Sequence, residues 1–328
     1  MGSRKKRKRS RFFVYSSVRL FVGVFSSIPL PITLLMGRFV GWAVRLADRR
    51  HRLVAMENLD DAYGDSLTVS EKERIIAGIY RNLGMILVEL IKTPSLIRRE
   101  SWRERIHVDG EEHARDAAAL GRGVLFISGH LGNWELLGLG ITLLGYPLHG
   151  MARPLDNPML DRFLLRSRTR FGQKIVPQAG SFVSFLRILR RGGFVGILVD
   201  QNQKEGGVFV DFFGRQAATI RTVAALHRRT GAPIVTGYIR REPGTFRHRI
   251  RIDPAIIIER TGDSEGDILR TTQAFTSRIE EYVRETPDHW LWLHRRWKTR
   301  PAGEDGSPRR SSRSWKTQKR GARPLHST

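Results

Sequence analysis

Cysteine is absent from this 328-residue chain. That excludes disulfides, thiolate-bound metals and a covalent cysteine intermediate, so chemistry must run on oxygen or nitrogen groups. Acidic side chains are scarce: 32 Asp and Glu stand against 57 Lys and Arg, a formal net charge of +25. No phosphate-cradling P-loop, Gly-x-Ser-x-Gly elbow or His-Glu-x-x-His metal motif occurs, and no internal repeat is visible. Long apolar runs are scarce too. Residues 12–46 hold the one membrane candidate, and its uncharged part, Leu20 to Met36, is 17 residues, at the short limit for crossing a bilayer.

That candidate lacks a small-residue cleavage pattern, so it does not read as a removable signal peptide. Pro29 and Pro31 should kink it. Basic residues flank both ends, with Arg4 to Arg11 before it and Arg38, Arg45, Arg49, Arg50 and Arg52 within or after its end. Neither flank favours crossing, so an anchor that dips into the cytoplasmic leaflet suits the charges as well as a span does. Residues 1–11 are a basic tail, and residues 299–328, rich in Pro, Ser, Gly and Arg, read as a second, disordered one. The tails account for +13 of the net +25, leaving +12 on the part that should fold. Such a surface implies anionic partners: nucleic acid, a membrane face, phosphorylated lipid or an acidic carrier protein. No nucleic-acid module is visible, which argues against a nucleic-acid partner.

Residues 68–97 repeat apolar positions at helical spacing, with Ser70 and Glu71 at the amino end. From residue 106 short apolar strands are expected at 123–128, 147–152, 194–199, 233–240 and 247–253. Helices are expected at 111–119, 133–143, 157–171, 181–191, 218–229 and 266–285. This alternation predicts an α/β fold, a central sheet flanked by helices, in a domain over 47–298.

The most informative stretch is Val124-Leu-Phe-Ile-Ser-Gly-His130-Leu-Gly-Asn-Trp-Glu135. A buried strand breaks at Gly129, a histidine follows, and an acid lies five positions on as a helix begins. The imidazole thus sits at the carboxyl end of a strand, where ligand sites of open α/β sheets lie. Histidine suits general-base work near neutral pH, and a nearby carboxylate can fix its tautomer. Gly129 and Gly132 let backbone approach a substrate. The amides of residues 131–134, at a helix start, could stabilise an oxyanion. Ser128 sits beside His130 outside any elbow pattern, which favours direct transfer in a ternary complex over an acyl-enzyme.

Three further blocks follow. Arg153 sits at a second strand end, whereas Arg162, Arg166, Arg168 and Arg170 lie along a helix and read more simply as a solvated face. Asp200 ends the strand Gly196-Ile-Leu-Val-Asp200-Gln201-Asn202. The segment Gly207-Val-Phe-Val-Asp-Phe-Phe-Gly214 after it could line a hydrocarbon slot or simply pack in the core. Trp290-Leu-Trp292-Leu-His294-Arg295-Arg296-Trp297-Lys298 interleaves tryptophans with cations, as membrane interfaces and single-stranded nucleic acid sites do. His294 reads as structural rather than as a second catalytic histidine.

In this order the stretches 129–135 (GHLGNWE), 152–158 (ARPLDNP), 199–202 (VDQN), 207–214 (GVFVDFFG) and 290–298 (WLWLHRRWK) resemble the lysophospholipid acyltransferase superfamily, and more closely the lipid A biosynthesis lauroyl/myristoyl acyltransferases. The likeness runs over about residues 15–298. It implies a glycerolipid acyltransferase-like mixed sheet with an N-terminal membrane-anchoring helical segment. It implies transfer of a fatty acyl chain from acyl carrier protein to a hydroxyl of a phosphorylated glycolipid, without metal or organic cofactor, at the cytoplasmic face of a bacterial inner membrane. By that likeness His130 is the general base, Glu135 its orienting partner, and Arg153, Asp200, Asn133 and Gln201 contact substrate. A phosphatidylinositol mannoside or a lysophospholipid is the alternative acceptor.

Overall fold

The computed structural model of the chain describes residues 2–152 and 157–301. Its first part is helical: α1 (Gly2–Ser27), α2 (Leu30–Ala47), α3 (Arg49–Tyr63) and α4 (Val69–Leu96). Strand and helix then alternate through β1 (Ile106–Asp109), α5 (Glu111–Ala119), β2 (Val124–Ser128), α6 (Trp134–Leu143), β3 (Leu148–Met151), α7 (Pro158–Thr169), β4 (Lys174–Val176), α8 (Ser181–Arg190) and β5 (Phe194–Leu198). A hairpin of β6 (Val208–Phe212) and β7 (Arg215–Thr219) precedes α9 (Thr222–Thr230), β8 (Ile234–Arg241), β9 (His248–Ile252) and α10 (Ser264–Glu285).

The prolines divide the apolar amino-terminal segment: α1 ends before Pro29, and Pro31 sits in the first turn of α2, where a missing amide costs nothing. α2 lies along α4 with backbone almost touching backbone. A Cβ on Gly41 would stand 2.2 Å from the Tyr80 carbonyl oxygen, and one on Gly84 2.1 Å from that of Gly37. Away from α4, Leu35, Phe39, Trp42 and Leu46 of α2 are all more than half exposed. α4 agrees with the expected 68–97 to within one residue at each end, with its cap at Thr68, two residues before Ser70. Thr68 caps it, its hydroxyl accepting from the Glu71 amide while the Glu71 carboxylate accepts from the Thr68 amide.

Seven strands form one sheet in the order β1-β9-β8-β2-β5-β3-β4. β8 and β9 pair antiparallel and every other pair is parallel, so the sheet is mixed. β1 and β4, four and three residues long, and the two hairpin strands were not among the strands expected from the sequence. The helix expected at 218–229 starts only at Thr222, because Ala217 to Thr219 pair with Val208 to Val210 instead.

Alternation along β2 sends Leu125 and Ile127 to one face and Val124 and Phe126 to the other. The first face packs against α8, α9 and α10 and a cluster of Trp290, Trp292 and Trp297; the second packs against α5 and α6. The closing block is therefore interior. Trp290, Trp292 and Arg296 are at most 1% exposed, which corrects the expectation of an interfacial or base-stacking surface. Phe212 and Phe213 are buried in the same cluster, and Val210 is buried as well. The hairpin thus fills the core and does not form a hydrocarbon slot.

Candidate active site

β2 and β5 are neighbours, and their register aligns Ser128 with Leu198. Two residues beyond each lie His130 and Asp200, so parallel pairing carries the two side chains to the same end of the sheet. There His130 Nδ1 lies 2.8 Å from Asp200 Oδ1, and the His130 amide donates to Asp200 Oδ2 at 2.7 Å. The Trp290 indole N–H donates to the same oxygen at 2.7 Å. Asp200 is buried and His130 partly so. Burial alone would push the imidazole down, but the Asp200 carboxylate, helped by the Glu135 charge, outweighs it and holds the His130 pKa above the usual value. Burial likewise works against the Asp200 carboxylate. The His130 ring and amide and the Trp290 indole more than compensate and hold its pKa below the usual range. The pair is a carboxylate and an imidazole with a raised proton affinity.

The loop that carries His130 is fixed from behind. Leu291 donates its amide to the His130 carbonyl and Gly132 donates to the His289 carbonyl, a short bridge that places Trp290 under Asp200. Gly132 has a φ of +55°, and a Cβ there would stand 2.0 Å from the Ile239 carbonyl oxygen, so only glycine fits. Because the Gly132 amide is already bonded, it is not available to an oxyanion. Asn133 caps α6 by accepting from the Leu136 amide and donates at 2.8 Å to Glu89 of α4. Glu89 is itself gripped by Arg241 and faces His248 at 3.1 Å. Although burial opposes ionisation, His248 and Arg241 hold its pKa down at about 2.

Glu135 does not orient the imidazole. Both its oxygens accept from Arg168, at 2.6 and 2.9 Å, a two-point clamp that competes successfully with a single bond to a ring nitrogen. The partner of His130 is Asp200, which the sequence had placed among substrate contacts. Its signal was there, an acid two residues past a strand end just as His130 is. What no sequence displays is that β2 and β5 lie side by side. Arg168 is likewise corrected from solvated face to site residue.

A cavity of about 550 Å³ opens beside this pair, and His130, Glu135, Arg168 and Gln201 belong to its wall. Its remaining lining is mostly apolar, from the sheet face under α6 and from α6 itself. With Nδ1 engaged by Asp200, Nε2 is the ring nitrogen left for a proton from a substrate. Gln201 is among the residues that line the cavity. Asn133, 1% exposed and capping α6, has no open face and is a positioning residue instead. Arg153 lies outside the described residues. His294 accepts from the Asn202 amide at 2.9 Å through Nε2. Arg296 donates to the Ala218 carbonyl and the Thr219 hydroxyl. His294 thus fastens the loop after Asp200 and Arg296 the end of β7; burial lowers the pKa of each, that of Arg296 to about 10.

The sequence profile of the bacterial lipid A biosynthesis acyltransferases matches residues 2–299. The chain is 27% identical over 284 residues to the Lipid A biosynthesis palmitoleoyltransferase of Escherichia coli K12, covering 84% of this chain and 88% of that protein. It is 29% identical over 285 residues to the Lipid A biosynthesis lauroyltransferase of the same organism, with the same coverage. A more distant relative is the phosphatidylinositol mannoside acyltransferase of Mycobacterium tuberculosis, 24% identical over 214 residues, 64% of this chain and 66% of that protein. A histidine–carboxylate pair opening on an apolar cavity, in a chain matched from end to end of its folded part, leads to one conclusion: this protein belongs to the bacterial lipid A biosynthesis acyltransferases.

Proposed function

We propose that the chain moves a fatty acyl group from acyl carrier protein to a hydroxyl of a lipid A precursor, with His130 as general base and Asp200 as its orienting partner. The observation that carries this reading is the 2.8 Å contact between His130 Nδ1 and Asp200 at the rim of the apolar cavity. Nε2 takes the proton from the acceptor hydroxyl as its oxygen attacks the donor's thioester carbon. The resulting imidazolium is stabilised by Asp200 and returns its proton to the departing thiolate. No covalent enzyme intermediate, metal or cofactor is invoked. Glu135 raises the proton affinity of His130 by its charge and holds Arg168 at the rim, where a guanidinium suits a phosphorylated acceptor.

The basic folded surface fits both an acidic carrier protein and an anionic inner leaflet. The exposed apolar side of α2, backed by α4 along its other side, favours a helix lying in the cytoplasmic leaflet over one crossing it. His130→Ala should abolish transfer from an acyl carrier protein donor to a lipid A precursor while leaving the far-ultraviolet circular dichroism unchanged. Near-normal turnover by that variant would remove the mechanism.

A further inference from the structure

The cavity owes its depth to a coincidence of register. Across the sheet the row on the α6 side reads Val235, Phe126, Gly196, Gly150, Ile175. In-register residues of parallel strands face the same way, so two neighbouring strands both lack a side chain at the same level. β5 is a central strand, yet its positions 194, 196 and 198 on this face are only half-buried while Val195 and Ile197 on the other are buried. The missing side chains leave a trough roofed by Ile141 of α6. One row nearer the carboxyl ends are Ser128 and Leu198, and beyond them His130 and Asp200. One row the other way stand Leu148 and Phe194. There Phe194 and Tyr146 pack against each other and against Phe126 of the glycine row, with ring centroids 5.1 to 6.4 Å apart, and Leu148 and Phe126 line the cavity.

Resting on the acyltransferase reading above, we infer that Gly150, with Gly196 beside it, sets the length of the acyl chain transferred. The thioester sits at His130 and the tail runs down the strands. Its end passes over the two glycines, about 7 Å below the Ser128 level at one pleat repeat, and stops against Leu148. The two glycines differ in what they permit. A Cβ on Gly196 would meet Leu148 at 3.3 Å, whereas one on Gly150 would meet no atom within 4 Å. A side chain at Gly150 therefore grows into the cavity without displacing protein. Each methylene denied burial weakens the fit about fourfold.

The test gives purified full-length protein a mixture of acyl carrier protein donors from decanoyl to stearoyl, with a lipid A precursor, and reads the products by mass spectrometry. In Gly150→Leu the longest chain used by the unaltered protein should fall about tenfold or more relative to the shortest, with Gly150→Ala intermediate. Circular dichroism checks the fold, and should Gly150→Leu unfold, Gly150→Ala decides. An unchanged product distribution, or an equal loss at every length, overturns the role of Gly150 and leaves the acyltransferase reading standing. Failure of the unaltered protein to transfer any chain would sink that reading, and this inference with it.

Discussion

At the scale of single residues, the site depends on which carboxylate His130 meets. The sequence offers Glu135, five positions on, as the nearer choice. In the fold Asp200 takes the ring nitrogen and Arg168 takes Glu135. The two acids should therefore respond differently to neutralisation. Asp200→Asn removes both the tautomer control and the charge, and activity should fall by about 10²–10⁴. Glu135→Gln should cost less and should appear mainly in the KM for the acceptor. Steady-state kinetics of both variants decide this, and an equal collapse of kcat in Glu135→Gln would reverse the assignment. The acid limb of kcat/KM reports neutral His130, so it should lie above the ~6.5 of an ordinary imidazole. Since Asp200 is what raises that pKa, the residual activity of Asp200→Asn should have its acid limb at lower pH.

At the scale of elements, glycines decide where helices and loops can approach one another. Gly37, Gly41 and Gly84 bring α2 onto α4 with no room for a side chain. α4 in turn sends Glu89 to Asn133, the cap of the helix that follows His130. α2 and the loop that carries His130 thus share a support. Gly41→Leu would drive a side chain into the Tyr80 carbonyl and should destabilise the protein by about 1–3 kcal/mol, measurable by urea unfolding. It should also release α2 and weaken sedimentation with anionic vesicles. Unaltered stability would contradict the close packing described here.

For the whole molecule, charge and apolar surface act together. The +12 on the folded part is of a sign and size to speed encounters with an acidic carrier protein. Turnover at sub-saturating donor should fall as salt rises and the screening length drops from about 10 Å at 0.1 M. Salt-insensitive turnover under those conditions would count against an electrostatically guided donor.

The sequence alone was enough to read the alternation of strands and helices, because apolar spacing is a local property. It was also enough to place His130 at a strand end, and it offered the WLHRR block without revealing that its tryptophans are core. Short β1 and β4 escaped because three or four residues carry too little pattern. Strand order decided the rest. Only when β2 lies beside β5 does Asp200 face His130, and only when β5 lies beside β3 do Gly196 and Gly150 open one trough. Those adjacencies arise from contacts between residues far apart in the chain, which no local spacing encodes.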